Sequence, residues 1–225
     1  MATNNTTKSK LDGTTVPAFP FAPVEYQQQH QDQFMRVLTL YLQQNDNFNN
    51  TLITVDGARF LSTPYGSFLS TSTQTTAGAN TATAVTLSEI DGVPSNSVYV
   101  GTNSANVFPN SKIYAAYTGV YNMQFSLQLE NADTTLHDVN IWIRYNGVNV
   151  DNSNTVLSVP NKHGGVNGHT VAAWNFFVSY AAPTDYYELY WSSDSTQVSI
   201  PVYATTAPAP ATPSVILTMQ YVSRV

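Results

Sequence analysis

Hydrophobic and polar residues alternate with a period of two along most of the chain after residue 65. In residues 139–144, Val, Ile and Ile occupy one set of positions, and Asn, Trp and Arg occupy the other. This period is that of a β-strand, whose successive side chains point to opposite faces of a sheet. Asn146-Gly147 follows at once, and this dipeptide favours a tight hairpin turn because both central residues need positive φ. The sequence therefore predicts a β-hairpin with bulky residues on both faces of its first strand.

Similar short segments recur to the end of the chain, separated by turn signals such as Asp91-Gly92 and Gly164-Gly165. The predicted strands are 67–70, 84–90, 98–101, 112–117, 121–128, 139–145, 155–159, 171–180, 186–191, 198–202 and 214–222. Many short strands without intervening helices predict an antiparallel sandwich or barrel. Residues 204–213 are too rich in proline to be the interior of a strand.

One segment, residues 24–50, has a helical pattern without Gly or Pro. Phe34, Leu38 and Tyr41 recur at helical spacing, so they predict one apolar stripe. An isolated short helix is marginal in water. We therefore expect the stripe to pack either on the chain's own β domain or on copies of itself around an axis.

Residues 1–23 predict an extended N-terminal arm, because three prolines within seven residues disfavour regular structure. Val16, Phe19 and Phe21 are candidate contacts through which this arm binds another protein. The alternative is a tail folded back on its own helix. The predicted organisation is thus an arm (1–23), a helix (24–50), a connector (51–64) and a β head (65–225).

Composition narrows the functional classes. The chain has 225 residues, a net charge of −6, 10% charged residues and no cysteine. Without cysteine there are no disulfides and no thiol chemistry. The negative charge argues against nucleic-acid binding, which depends on Lys and Arg at the phosphates. No apolar run has the length of a transmembrane helix, and no secretory signal is recognisable, so we expect no membrane insertion.

Candidate catalytic groups are sparse, and no nucleophile, phosphate-loop or zinc-protease motif is present. His163 and His169 lie six residues apart in a Gly-rich loop, but a metal site needs further ligands at fixed geometry. The loops 151–154 and 192–197 do not have the spacing of a calcium loop. The sequence predicts no enzyme, no cofactor and no metal site.

Several motifs in order carry a family resemblance. "GVYNMQFSLQL" (119–129), the hairpin 139–159, the pair 171–200 and "PSVILTMQYV" (213–222) resemble the jelly roll of the C1q and tumour-necrosis-factor-like proteins, in a variant found on bacteriophage structural proteins. The likeness spans about residues 97–225. It implies an all-β antiparallel jelly-roll sandwich, here preceded by an extended N-terminal arm and one short α-helix.

The segment 20–46 resembles a short stretch near the start of small tailed-phage virion proteins. Together the resemblances imply a homotrimeric structural protein of the virion, assembled in the host cytoplasm. It would be a short fibre or knob held by its N-terminus, with the head exposed and contacting a host glycan or receptor. A capsid decoration (cement) protein and a free glycan-binding lectin are the alternatives.

In that family one sheet face of each jelly roll lies in the trimer interface. Two groups of residues are predicted to lie in this interface. The first consists of bulky strand residues, Trp142, Tyr145 and Trp174, and the second is the apolar stripe of the helix, Phe34, Leu38 and Tyr41. The alternative for Trp142 is a partly exposed side chain in a monomer. Receptor contacts are predicted on loops, where binding residues concentrate. The candidates are Tyr99, Phe108, His163 and His169.

Overall fold

The computed structural model of this protein describes Ala18, residues 25–53 and residues 63–224. The chain divides into two compact units, Met1–Ser62 and Thr63–Val225. The proposed arm contacts Val16, Phe19 and Phe21 lie outside the described residues, so their role stays a prediction.

The first unit contains helix α1, Gln28–Ile53. It begins four residues after the predicted start and ends three residues after the predicted end. No Ser, Thr, Asp or Asn precedes Gln28 closely enough to cap the first turn, and no Gly or Pro stops the helix at residue 50. Its half-buried side chains share one stripe with steps of mainly three and four: His30, Phe34, Val37, Leu38, Tyr41, Asn45 and Phe48. The helical pattern is therefore confirmed.

In its described residues, 63–224, the second unit contains fourteen strands. They are β1 Tyr65–Ser70, β2 Gln74–Thr75, β3 Thr83–Ala84, β4 Glu89–Ile90, β5 Val98–Val100, β6 Ile113–Ala115, β7 Gly119–Asn131, β8 His137–Tyr145, β9 Val148–Asn149, β10 Thr155–Val159, β11 Gly168–Tyr180, β12 Tyr186–Ser193, β13 Val198–Ile200 and β14 Val215–Ser223.

The strands form two antiparallel sheets. In sheet A the order is β2-β13-β7-β14-β1-β4. Strands β13 and β14 pair with successive parts of one edge of β7, and β11 pairs with the opposite edge along its full length. In sheet B the order is β10-β8-β12-β6-β5, with β3 on β12 and β9 on β8. From β7 onwards the chain moves repeatedly from one sheet to the other, as in a jelly roll: β7, β11 and β14 lie in sheet A, and β8 and β12 lie in sheet B. The head is thus an all-β antiparallel jelly-roll sandwich, and the predicted fold class is confirmed.

One predicted strand, residues 84–90, is wrong as a single element. Its first residue, Ala84, ends β3 in sheet B, and its last two residues, Glu89 and Ile90, form β4 in sheet A. The chain crosses the sandwich between them, and Val85 and Leu87 are buried at 2% and 1% exposure. Alternation predicted a continuous strand because a crossing segment buried in the core shows the same apolar pattern.

The core fills the space between the sheets. Inward positions of β7 and β8 alternate strictly, so that Met123, Leu127 and Ile141 are almost completely buried. The largest fully buried side chain is Trp191 of β12. The predicted alternation of 139, 141 and 143 inward is confirmed.

Two tight turns fix the ends of hairpins. Asn146 and Gly147 have φ of 48° and 81°, and Gly164 and Gly165 have φ of 59° and 85°. Both pairs therefore satisfy the requirement of a two-residue hairpin turn for positive φ at both central residues. The first turn joins β8 to β9 and sets the position of the segment that follows β9.

Candidate functional site

Trp142 and Arg144 project from β8 on the outward face of sheet B. The Arg144 guanidinium lies 3.9 Å from the ring centre of Tyr190, and the Trp142 and Tyr190 rings are 5.9 Å apart. The indole N–H of Trp142 and Nε of Arg144 both donate to Oδ1 of Asn149, at 2.9 and 2.7 Å. Cation–π attraction and a shared acceptor thus explain, within one chain, why Trp and Arg lie on this face.

Tyr145, a predicted interface residue, is half-buried against the core of its own chain. It continues the inward alternation of β8, and its ring lies 4.9 Å from the ring of Tyr187. Its hydroxyl is hydrogen-bonded to Asp185, which is the main reason that its pKa is raised to about 12. Tyr145 therefore packs on the core of its own chain, because residues 139, 141, 143 and 145 share one face.

Asp185 organises the corner between β11 and β12. Its Oδ2 accepts hydrogen bonds from the backbone N–H groups of Ala181 and Ala182, at 3.0 and 2.7 Å, and its Oδ1 accepts from Asn146 at 2.9 Å. Burial raises the pKa of Asp185, but the hydrogen bonds from Asn146, Tyr145 and the backbone outweigh burial and lower it. The carboxylate is therefore a structural acceptor that joins two loops.

The outward face of β1, β7, β11 and β14, which we call the A face, is poor in charge. Among its outward positions on these four described strands, Glu130 is the only Asp, Glu, Lys or Arg. Several large apolar side chains are nevertheless exposed there: Tyr65 38%, Val171 56%, Phe177 70%, Ile216 38% and Val222 50%. Apolar exposure without interspersed charge is typical of a contact surface.

Strand β11 extends the A face to an edge. Within the described residues it pairs only with β7, over thirteen residues from Gly168 to Tyr180. Trp174, a predicted interface residue, lies on this strand and is 51% exposed, but it pairs with the buried Phe125 and so lies on the face of β11 opposite the A face. A long edge strand with exposed aromatic residues is a template for association unless another surface covers it.

A second open feature is a cleft of about 360 Å³ beside β8 and β9 on sheet B. Its lining is mostly amide and hydroxyl side chains around one indole ring: Asn140, Trp142, Asn149, Val150, Asp151, Asn152, Asn154 and Ser192. Sequence reasoning treated residues 151–154 as a plain polar loop. The signal that was available is an amide-rich stretch directly after a Trp-bearing strand.

The predicted receptor contacts do not form one site. Tyr99 is a residue of β5 and pairs with Tyr114 of β6, and His163 lies in the tight turn at residues 163–166. Phe108 instead packs towards the core, with its ring 6.3 Å from that of Phe68. Its half-buried ring therefore covers part of the core of its own chain, and its role as a receptor contact stays a prediction.

His169 belongs to a separate cluster at the end of the A face. Its Nδ1 lies 2.8 Å from the hydroxyl of Tyr203, which donates to Glu130 at 2.9 Å. Burial and the bond to Glu130 raise the pKa of Tyr203. The cluster ties β7 and β11 to the loop after β13.

His137 joins two loops at the start of β8. Its ring nitrogens lie 3.0 Å from carboxylate oxygens of Asp133 and Asp194. The hydrogen bond with Asp133 is the largest cause of the raised pKa of His137, and the same bond lowers the pKa of Asp133. The arrangement favours the charged imidazolium between two carboxylates.

Within the part of the chain that the structure describes, no group of three or more His, Asp or Glu side chains has an arrangement that could hold a metal ion. Among the same residues, no helix has the length and apolar character needed to cross a membrane.

Comparisons with known proteins give a likeness of fold. No family model and no curated protein matches the chain. Two crystal structures of murine APRIL, a TNF-family jelly-roll protein, are similar to it at 8% sequence identity. Their TM-scores are 0.44 at pH 5.0 and 0.42 at pH 8.5, and each match covers 72% of this chain and 100% of that one.

Proposed function

We propose that this chain is a structural protein of a tailed-phage virion: a homotrimeric short fibre or knob, held by its N-terminus, with the jelly-roll head exposed to the host surface. The sequence motifs of the head and the segment 20–46 support the virion assignment. The division into an N-terminal unit and a separate head suits an anchored knob. The protein acts by binding and has no catalytic role.

The observation that carries the self-association is the A face. Obligate interfaces resemble a core cut in half and exclude charge from their centre. The A face has this character, whereas the outward face of sheet B carries the charged side chains of Lys112 and Arg144. We therefore place the trimer contact on the A face and the β11 edge, including Trp174, and leave Trp142 outside it.

Charge substitution tests this placement. Val171→Lys with Phe177→Lys puts two charges on the A face at side chains that are 56% and 70% exposed in the single chain. The matched control, Val156→Lys with Val148→Lys, changes side chains of 60% and 69% exposure on sheet B. Light scattering should give a monomer for the first pair and a trimer for the control. A trimer for both pairs would move the contact elsewhere.

Removing residues 1–23 tests the virion role. The truncated protein should keep a folded, trimeric head but be absent from assembled particles. A map of the intact particle should show where the full chain sits. Particles that carry the truncated protein at full occupancy would contradict attachment through the arm. If loss of the protein weakened the shell to heat and left adsorption unchanged, the chain would be a cement protein instead.

A further inference from the structure

The cleft beside β8 and β9 has the chemistry of a sugar site. We propose that it binds a neutral oligosaccharide, with Trp142 beneath a sugar ring and the surrounding amides on its hydroxyl groups. This inference deepens the receptor-contact part of the proposed function and rests on it. The cleft volume of about 360 Å³ falls within the range of small-molecule sites, roughly 300–1,000 Å³.

The lining offers both donors and acceptors. Oδ1 of Asn140 accepts a hydrogen bond from Nδ2 of Asn154 at 2.9 Å. Within the described residues, Nδ2 of Asn140, Oδ1 of Asn154 and Nδ2 of Asn149 have no protein partner. A sugar hydroxyl is at once a donor and an acceptor, and side-chain amides complement both roles. Ser192, only 8% exposed, adds a hydroxyl to the lining.

The ring of Trp142 is fixed before any ligand arrives. Its N–H is held by Asn149, and the ring of Tyr190 lies 5.9 Å away. An aromatic side chain in a set orientation offers a flat apolar surface with little rotamer entropy left to lose. The C–H face of a sugar ring packs well on such a surface.

The loop that carries the amides is also held in place. Oγ of Ser153, a residue with 5% exposure, donates to the carbonyl of Val150 at 2.7 Å and accepts from the N–H of Ile143 at 3.2 Å. Asn152 adopts a φ of 61°, which turns the chain between these two contacts. A loop already ordered in the free protein loses less entropy when a ligand binds.

Charge selects the ligand class. Asp151 is the only ionisable residue among the lining residues, and no Lys or Arg lines the cleft. A sialylated or uronic sugar would therefore meet a like charge in the lining, and the neighbouring cation, Arg144, is already held by Oδ1 of Asn149 and the ring of Tyr190. In the proposed trimer the contact lies on the A face, so that the three clefts on sheet B stay accessible and can act together on a surface that bears many copies of one glycan.

The direct test is binding of the full-length protein to an array of immobilised neutral and acidic oligosaccharides. Hits are then titrated as free oligosaccharide by calorimetry to remove avidity. We expect saturable binding to one or more neutral oligosaccharides. Binding confined to acidic sugars, or to none, would overturn the proposal.

Variants locate the site. Trp142→Ala should weaken binding by about 10-fold or more, and Asn154→Ala by about 3- to 10-fold. The controls Tyr114→Ala, a half-buried aromatic on the same sheet, and Asn103→Ala, an exposed loop amide, should leave affinity unchanged. Unchanged affinity in a folded Asn154→Ala or Trp142→Ala protein would overturn the assignment.

The failure of this inference is separable from that of the proposed function. A trimer that assembles into particles but binds no neutral glycan contradicts the cleft alone. A protein that binds glycan but is a monomer, or is absent from particles, contradicts the proposed function and leaves the cleft intact.

Discussion

Replacing Ser153 by alanine should destabilise the head through one missing hydroxyl. Between β9 and β10 the ladder on β8 is interrupted, and Oγ of Ser153 takes the place of a strand partner for the N–H of Ile143. Ile143 is 3% exposed, so water does not readily replace this acceptor. The carbonyl of Val150 keeps a weaker partner, the N–H of Ser153 at 3.4 Å.

The magnitude follows from these partners. Leaving the buried N–H of Ile143 unsatisfied costs about 1–3 kcal/mol, and losing the bond donated to Val150 costs about 0.5–1.5 kcal/mol. The total is about 1.5–4.5 kcal/mol, which lowers the Tm of a domain of this size by roughly 3–18 °C. The same change should loosen the loop that lines the cleft.

Calorimetry and urea denaturation at one protomer concentration measure the effect, since the stability of an oligomer depends on concentration. Ser158→Ala is the matched control: its Oγ donates to Asp138, but the contact is exposed, so we expect a change within about 0.5 kcal/mol. If the Tm of the Ser153→Ala protein lay within about 1 °C of the parent's, the structural role of the hydroxyl would be refuted.

Two further predictions concern titration. The raised pKa of His137 contributes stability that is complete below the unfolded pKa of about 6.5 and is lost as pH rises through the folded pKa. His137→Gln should therefore lower the urea midpoint more at pH 5.5 than at pH 8.5, and equal losses at both pH values would contradict this. Asp185→Asn removes the carboxylate that accepts from Tyr145, so the pKa of Tyr145 should fall from about 12 towards 10. An ultraviolet difference titration measures this shift, and the titration of Tyr145→Phe identifies the residue; an unchanged curve would count against the bond.

The sheet architecture was accessible from sequence because alternation reports which face of a strand is buried. Residues 139–144 gave the correct inward and outward sets, since their strand, β8, lies centrally in sheet B. The same alternation puts Tyr145 on the inward face of β8, whereas the size of its side chain alone had suggested an interface residue. Alternation does not reveal where a strand changes sheets, and for this reason residues 84–90 were misread as one element.

The candidate site was harder to predict from the sequence than the sheets. The cleft joins Asn140 of β8 with Asn154 before β10 and Ser192 of β12, which meet only through sheet pairing. The two-residue strand β9, which carries Asn149, is too short to show a period. The low charge of the A face likewise appears only when the positions of four strands that are distant in sequence are combined.

The most direct test of the account is the mass of the full chain in solution by light scattering at micromolar concentration. The account predicts about three times the chain mass of 24.6 kDa, because the A face and the β11 edge are covered by neighbouring copies. A clean monomer, with residues 1–23 present, would contradict it and leave the exposed Val171, Trp174 and Phe177 without the proposed partner.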